Sequence, residues 1–202
     1  MTTHGRPIRI GLIGAGGIAS VHMQELGKLR GECEIVAITD AALPLAEKRA
    51  KEFGVPLVSP SPEALLSLPE VDAVIVAVPN KYHKAYTGAA LQSGKHVLVE
   101  KPMGLNVEDA KEIVRAERRS GKVVMIGHQM RWEWVPLHIR ERIERGELGR
   151  IYSAKTGWFR RQGIPGWGSW FTRKDEAGGG PLIDIGVHMI DLAFFLMGEP
   201  KP

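Results

Sequence analysis

The chain is 202 residues long, 44% hydrophobic and 25% charged, with a formal net charge of +4 at pH 7, which excludes fibrous, low-complexity and disordered classes. The opening residues MTTHGRP carry no apolar targeting core, and no window reaches the roughly 18 consecutive apolar residues of a membrane span, so a cytoplasmic protein with no membrane segment is expected. Cys33 is the single cysteine, which rules out an internal disulfide and a thiolate metal cluster, and no metal site is expected.

The first element is a buried strand, Ile8 with Ile10, Leu12 and Ile13, running into Gly14, Ala15, Gly16, Gly17, Ile18 and Ala19, a G-x-G-x-x-A turn. Gly14 permits the tight turn, Gly16 lets the backbone approach a pyrophosphate, and Ala19 lets the next helix pack closely. That helix, Ile18 to Leu29, would present unpaired N–H groups to phosphates at its start. A second strand, Glu34 to Asp40, ends on a carboxylate about twenty residues beyond the glycines, where it can accept from ribose hydroxyls and repel a 2′-phosphate. Asp40 therefore favours NAD over NADP, and it is equally placed to cap the helix that begins near Pro44.

Leu45 to Phe53 reads as a helix closed by Gly54, Val55 to Val58 as a third strand, and Ser61 to Leu66 as a short helix. Val71 to Val78 is the most continuous apolar strand and ends in Pro79 and Asn80. Then come a helix from Tyr82 to Ser93, a strand from His96 to Glu100, a helix from Val107 to Arg119 and a sixth strand from Val123 to Gly127. Near-continuous apolar strands alternating with helices describe a doubly wound parallel sheet, a Rossmann α/β unit spanning residues 1–127. Its ligands bind beyond the carboxyl ends of the strands, where Gly14 to Gly17, Asp40, Pro79, Asn80, Glu100, Lys101 and Gln129 fall. His83 borders this region, with capping or packing as its simpler role.

Residues 128–202 read as the beginning of an α+β domain. The pattern predicts a helix over Arg131 to Gly149, a strand over Ile151 to Phe159 and a helix from Leu182 to Met197. In the first helix Arg140, Arg142, Arg145 and Arg150 interleave with Glu141, Glu144 and Glu147, a solvated face and not a nucleic-acid surface. Trp158, Arg160, Arg161, Trp167, Trp170 and Phe171 form a cationic, aromatic stretch suited to sugar contacts, or to packing. Asp184, His188 and Asp191 recur at spacings of four and three, which places them on one helix face.

The segments GLIGAGGIA, VPNKYH, HVLVEKP, GHQMR, GELGRI and GGGPLIDIGVHMID together resemble the glucose-fructose oxidoreductase, inositol dehydrogenase and rhizopine catabolism family, Gfo/Idh/MocA. The resemblance implies an NAD(P)-dependent dehydrogenase acting on a hydroxyl carbon of a sugar, cyclitol or related polyol. It makes Lys101 of EKP the catalytic lysine, and Asp184 and His188 the D-x-G-x-H pair, with His188 as general acid/base. Its cofactor contacts correspond to Gly14, Gly16, Gly17, Ile18, Asp40, Pro79, Asn80, His83, Glu100, Lys101 and Gln129. An NAD-dependent glycosidase using transient oxidation and a non-catalytic dinucleotide-binding protein are the alternatives. Family members continue through a large open sheet that usually forms a homo-oligomer interface. Residues 128–202 are therefore expected to be a partial substrate domain, with an uncovered apolar helix face at Ile185, Met189, Leu192 and Phe195.

Overall fold

The computed structural model describes residues 5–159, 161, 166 and 168–198. The chain divides into two compact units, Met1–Ile126 and Gly127–Pro202.

The first unit is a parallel six-stranded sheet built from β1 (Ile8–Ile13), β2 (Cys33–Thr39), β3 (Leu57–Val58), β4 (Ala73–Val76), β5 (His96–Val99) and β6 (Val124–Ile126). Their order is β3-β2-β1-β4-β5-β6, and every pairing is parallel. The order reverses between β1 and β4, which opens a crevice at the carboxyl ends of these two strands. Five helices connect the strands: α1 (Gly17–Leu26), α2 (Leu43–Phe53), α3 (Pro62–Leu66), α4 (His83–Gln92) and α5 (Val107–Ser120). The Rossmann fold class expected from the alternating pattern is the one observed, with β3, β4, β5 and β6 shorter than the apolar runs suggest.

Two apolar layers cover the two sheet faces, because each strand sends alternate side chains to opposite sides. Ile10, Leu12 and Ile38 pack with Ala19 and Met23 of α1 and Ala46 of α2. Ile13, Ala37, Val74, Val76, Val97 and Val99 pack with Leu65 of α3 and Ala90 and Leu91 of α4. Local chemistry sets the helix ends. Ser61 accepts from the Ala64 N–H at the start of α3, Asn106 accepts from the Asp109 N–H at the start of α5, and Gly54 and Gly121 close α2 and α5 in the left-handed conformation.

The second unit contains α6 (Trp134–Glu144), α7 (Lys174–Ala177) and α8 (Val187–Met197), with a π turn, Leu182–Gly186, leading directly into α8. Three expectations are corrected here. Residues Ile151 to Phe159 form no strand, although they alternate as one would; a strand needs a partner to satisfy its backbone, and none is present among the described residues. The helix after Pro181 does not start as a regular α-helix but as the π turn, an arrangement frequent at functional sites. The exposed apolar stripe of α8 is Ile190, Phe194 and Met197, whereas Ile185, Met189, Leu192 and Phe195 are half-buried. The 24-residue stretch Lys174–Met197 contains an 18-residue window of mean hydropathy 1.5, enough on length and composition alone to cross a bilayer. Glycines 178–180 break it, and Asp184, His188 and Asp191 interrupt its apolar surface.

Candidate functional site

The glycine turn follows β1 directly. Gly14 has φ +105°, and an added Cβ would meet the Ala77 carbonyl oxygen at 2.2 Å, so only glycine is accommodated there. Gly16 is the N-cap of α1 and offers no side chain to its first N–H groups, and nothing lies within 4 Å of a Cβ added at Gly16 or Gly17. This leaves an uncapped helix N-terminus with open space above it, which fits a pyrophosphate. Ala19 is fully buried and Ile18 is 41% exposed.

Asp40 directly follows β2 and braces the turn. One carboxylate oxygen accepts from the Ala15 N–H at 2.7 Å, and the other from the Ala42 N–H at 2.8 Å. Each oxygen keeps further lone-pair capacity for a ribose hydroxyl. Arg49 on α2 donates to the Ala15 carbonyl oxygen at 3.3 Å, a support that the sequence did not single out.

Beyond β4, Pro79 precedes a 3-10 turn, Asn80–Tyr82, and Asn80 is buried. His83, the first residue of α4, is fully buried, with Nδ1 at 2.7 Å from the Pro102 carbonyl oxygen and Nε2 at 2.9 Å from the Val78 carbonyl oxygen. These two contacts tie the end of β4 to the segment after β5, the packing role that its sequence position also allowed. Burial lowers its pKa, and the two carbonyls oppose that shift.

Glu100 and Lys101 follow β5, and the Lys101–Pro102 bond is cis. Glu100 is buried, with Oε1 at 2.8 Å from His22 Nε2 on α1 and Oε2 accepting from the Lys101 N–H at 3.2 Å. His22 was not legible as a site residue; its only signal is a helical spacing of four from Ile18. The carboxyl ends of β1, β2, β4 and β5 thus gather Gly14 to Gly17, Asp40, Pro79 with Asn80, and Glu100 with Lys101 within one unit.

In the second unit His188 and Asp191 on α8 are buried, and Asp184 is half-buried in the preceding π turn. Arg131, in a 3-10 turn that begins at Gln129, donates to both Asp191 oxygens, one contact being 2.7 Å from Nε. His128 Nδ1 lies 3.7 Å from Asp191 Oδ2, and the His128 ring meets the His188 ring edge-on at 6.2 Å. The Trp158 ring is 5.9 Å from that of His188. The D-x-G-x-H pair is therefore accompanied by His128, Arg131 and Asp191, which the sequence reading left without roles. Gln129 is exposed, and Arg161 is exposed. Trp170 and Phe171 stack on each other at 3.8 Å, whereas Arg160 and Trp167 lie outside the described residues. Among the described residues no cluster of three or more His, Cys, Asp or Glu is arranged to hold a metal ion.

The profile of the oxidoreductase family with an NAD-binding Rossmann fold, GFO_IDH_MocA, matches residues 8–128, more than half of the chain. The chain belongs to the Gfo/Idh/MocA family. The GFO/IDH/MocA C-terminal domain matches residues 136–202. Among family relatives, D-glucoside 3-dehydrogenase of Escherichia coli K12 is 39% identical over 194 residues, 96% of this chain and 55% of that protein. The scyllo-inositol 2-dehydrogenase (NAD(+)) of Bacillus subtilis 168 is 29% identical over 191 residues, 95% of this chain and 54% of its own length. A levoglucosan dehydrogenase solved with NADH and levoglucosan superposes with a TM-score of 0.83 at 28% identity, covering 96% of this chain and 55% of that one. This Gfo/Idh/MocA chain thus spans about half the length of the relatives it matches.

Proposed function

We propose that this chain carries the cofactor unit and part of the substrate unit of an NAD-dependent dehydrogenase acting on a hydroxyl carbon of a sugar, cyclitol or related polyol. The observation that carries the reading is the assembly of an uncapped glycine turn, Asp40 and Lys101 at the carboxyl ends of strands of one sheet. Gly14, Gly16, Gly17 and Ile18 would cradle the pyrophosphate, and Asp40 the adenosine ribose. Asp40 is followed in sequence by Ala41 and Ala42, neither of which is a cation that could receive a 2′-phosphate, and this supports NAD over NADP. Pro79, Asn80 and Gln129 remain candidate contacts toward the nicotinamide end.

When bound, the nicotinamide supplies the hydride acceptor. Lys101 donates a hydrogen bond to the substrate hydroxyl oxygen and lowers the cost of negative charge on it. His188 accepts the hydroxyl proton, a task suited to an imidazole whose ordinary pKa is about 6.5. Asp184 orients the imidazole or the substrate. Asp191, on the same helix as His188, has both carboxylate oxygens held by the Arg131 guanidinium, which supports α8 beside the imidazole. The names of the matched relatives, which act on a glucoside and an inositol, support this substrate class. A small-molecule substrate, a cytoplasmic location and a homo-oligomer of the whole protein complete the reading.

A panel of sugars, cyclitols and glycosides offered with NAD and with NADP tests it by absorbance at the NADH band. Substrate-dependent reduction, stronger with NAD, is the expected result. Glycoside cleavage without net NADH would point to a glycosidase instead, and binding of NADH with no turnover on any substrate would favour a non-catalytic role.

A further inference from the structure

We propose that His22 is a positioning residue for Lys101, acting through the Glu100 carboxylate; the inference rests on the catalytic reading of Lys101 above. The backbone at Glu100 is fixed by the sheet, because its N–H donates to the Val76 carbonyl oxygen at 3.0 Å. That bond does not fix the side chain. Glu100 is only 7% exposed, and a carboxylate taken out of water needs donors on its oxygens. Among the described residues it meets the His22 ring at 2.8 Å on Oε1 and the Lys101 N–H at 3.2 Å on Oε2. One carboxylate therefore joins a side chain of α1 to the backbone of the residue that performs the chemistry.

The geometry gives this link a direction. α1 is pinned to the sheet by Ala19 and Met23, 0% and 2% exposed, and its N-terminus is the glycine turn. His22 stands one helical turn beyond Ile18, so its imidazole is held by the same helix that faces the pyrophosphate. With His22 donating, the carboxylate is held over the Lys101 N–H. Without that donor, Glu100 has reason to turn toward water and release the Lys101 backbone. A displacement near 1 Å at a reacting group lowers turnover by about a hundredfold. The His22 side chain is 21% exposed, so its replacement leaves the core around α1 intact.

The test compares two amides in the full chain: His22→Gln, whose amide reaches about as far as imidazole Nε2, and His22→Asn, one methylene shorter. Steady-state kinetics on the best substrate of the panel are read beside NADH affinity. His22→Asn is expected to lower kcat roughly ten- to a hundredfold with the dissociation constant for NADH changed less than about threefold, and His22→Gln to recover most of kcat. Glu100→Gln is expected to lower kcat similarly, and adding His22→Asn to it to cost little more, because both changes break one linkage. Equal kcat for wild type and His22→Asn, equal losses for Asn and Gln, or multiplicative losses in the double variant would overturn the proposal. Lys101→Ala in the same series separates the two readings: unchanged turnover there rejects the catalytic role itself, whereas lost turnover with an unaffected His22→Asn rejects only the positioning role.

Discussion

Gly14 and Gly16 sit two residues apart in one turn, yet alanine at each should fail in a different way. At Gly14 the backbone has φ +105°, and an added Cβ would lie 2.2 Å from the Ala77 carbonyl oxygen and 2.7 Å from its carbon. The dihedral alone costs an L-residue about 1–3 kcal/mol. The clash is with backbone beyond β4, which cannot rotate away, and overpacking adds about 1–3 kcal/mol. Gly14→Ala should therefore destabilise the first unit by roughly 2–6 kcal/mol, a large share of the 5–15 kcal/mol typical of a whole domain. At Gly16 the backbone is φ −69°, ψ −166°, open to any residue, and a Cβ meets nothing within 4 Å. Gly16→Ala should cost only about 0.5–1.5 kcal/mol, the difference between glycine and alanine at an N-cap. It should weaken NADH at least tenfold, about 1.4 kcal/mol, because the methyl group occupies the approach to the pyrophosphate. Urea unfolding followed by circular dichroism gives the first quantity, and titration of nicotinamide fluorescence gives the second. The reasoning is refuted if Gly14→Ala unfolds at the wild-type midpoint, or if Gly16→Ala binds NADH as tightly as wild type.

Other consequences are as direct. Asp40→Asn removes a full negative charge while keeping the shape of the brace on Ala15, so the preference for NAD over NADP in kcat/KM should narrow by about tenfold or more; an unchanged ratio would remove Asp40 as the discriminator. His83 has its pKa lowered by burial, so the fold favours the neutral ring. The stability this contributes is present above the ordinary value near 6.5 and is lost as pH falls from there toward the lower folded value. The stability difference between wild type and His83→Gln should accordingly shrink as pH drops from about 7.5 to 5, with at most about 1.4 kcal/mol per pH unit, and a pH-independent difference would contradict it. Asp191→Ala strands the Arg131 guanidinium. Because Arg131 is 40% exposed and can turn to water, the loss should be about 1–3 kcal/mol in urea unfolding and not the larger cost of a fully buried pair.

Periodicity sufficed for the first unit because each strand there is buried on both faces and reads as an apolar run, and the glycines announce the turn they make. It failed at Ile151 to Phe159, where alternation is present but strand formation depends on neighbours that no local pattern can specify. The π turn at Leu182–Gly186 was hidden for a related reason, since the spacing of four from Asp184 to His188 is compatible with a regular helix. Lys101 was visible only through a motif, whereas Asp184, His188 and Asp191 also shared one helix face by their spacing. The supports His22 and Arg131 were not visible: they become informative through partners distant in sequence, Glu100 at 78 residues from His22 and Asp191 at 60 from Arg131. His83 shows the converse, a motif residue near the expected cofactor end whose ring is enclosed by two backbone carbonyls.

The central claim is that Lys101 serves the chemical step at a hydroxyl carbon. Pre-steady-state formation of NADH by the full chain, with the best sugar or polyol substrate and saturating NAD, tests it most directly when wild type is set beside Lys101→Ala. The account predicts that Lys101→Ala binds NADH within about threefold of wild type and forms it some 10²–10⁴ times more slowly. Equal rates of NADH formation in the two proteins would contradict it.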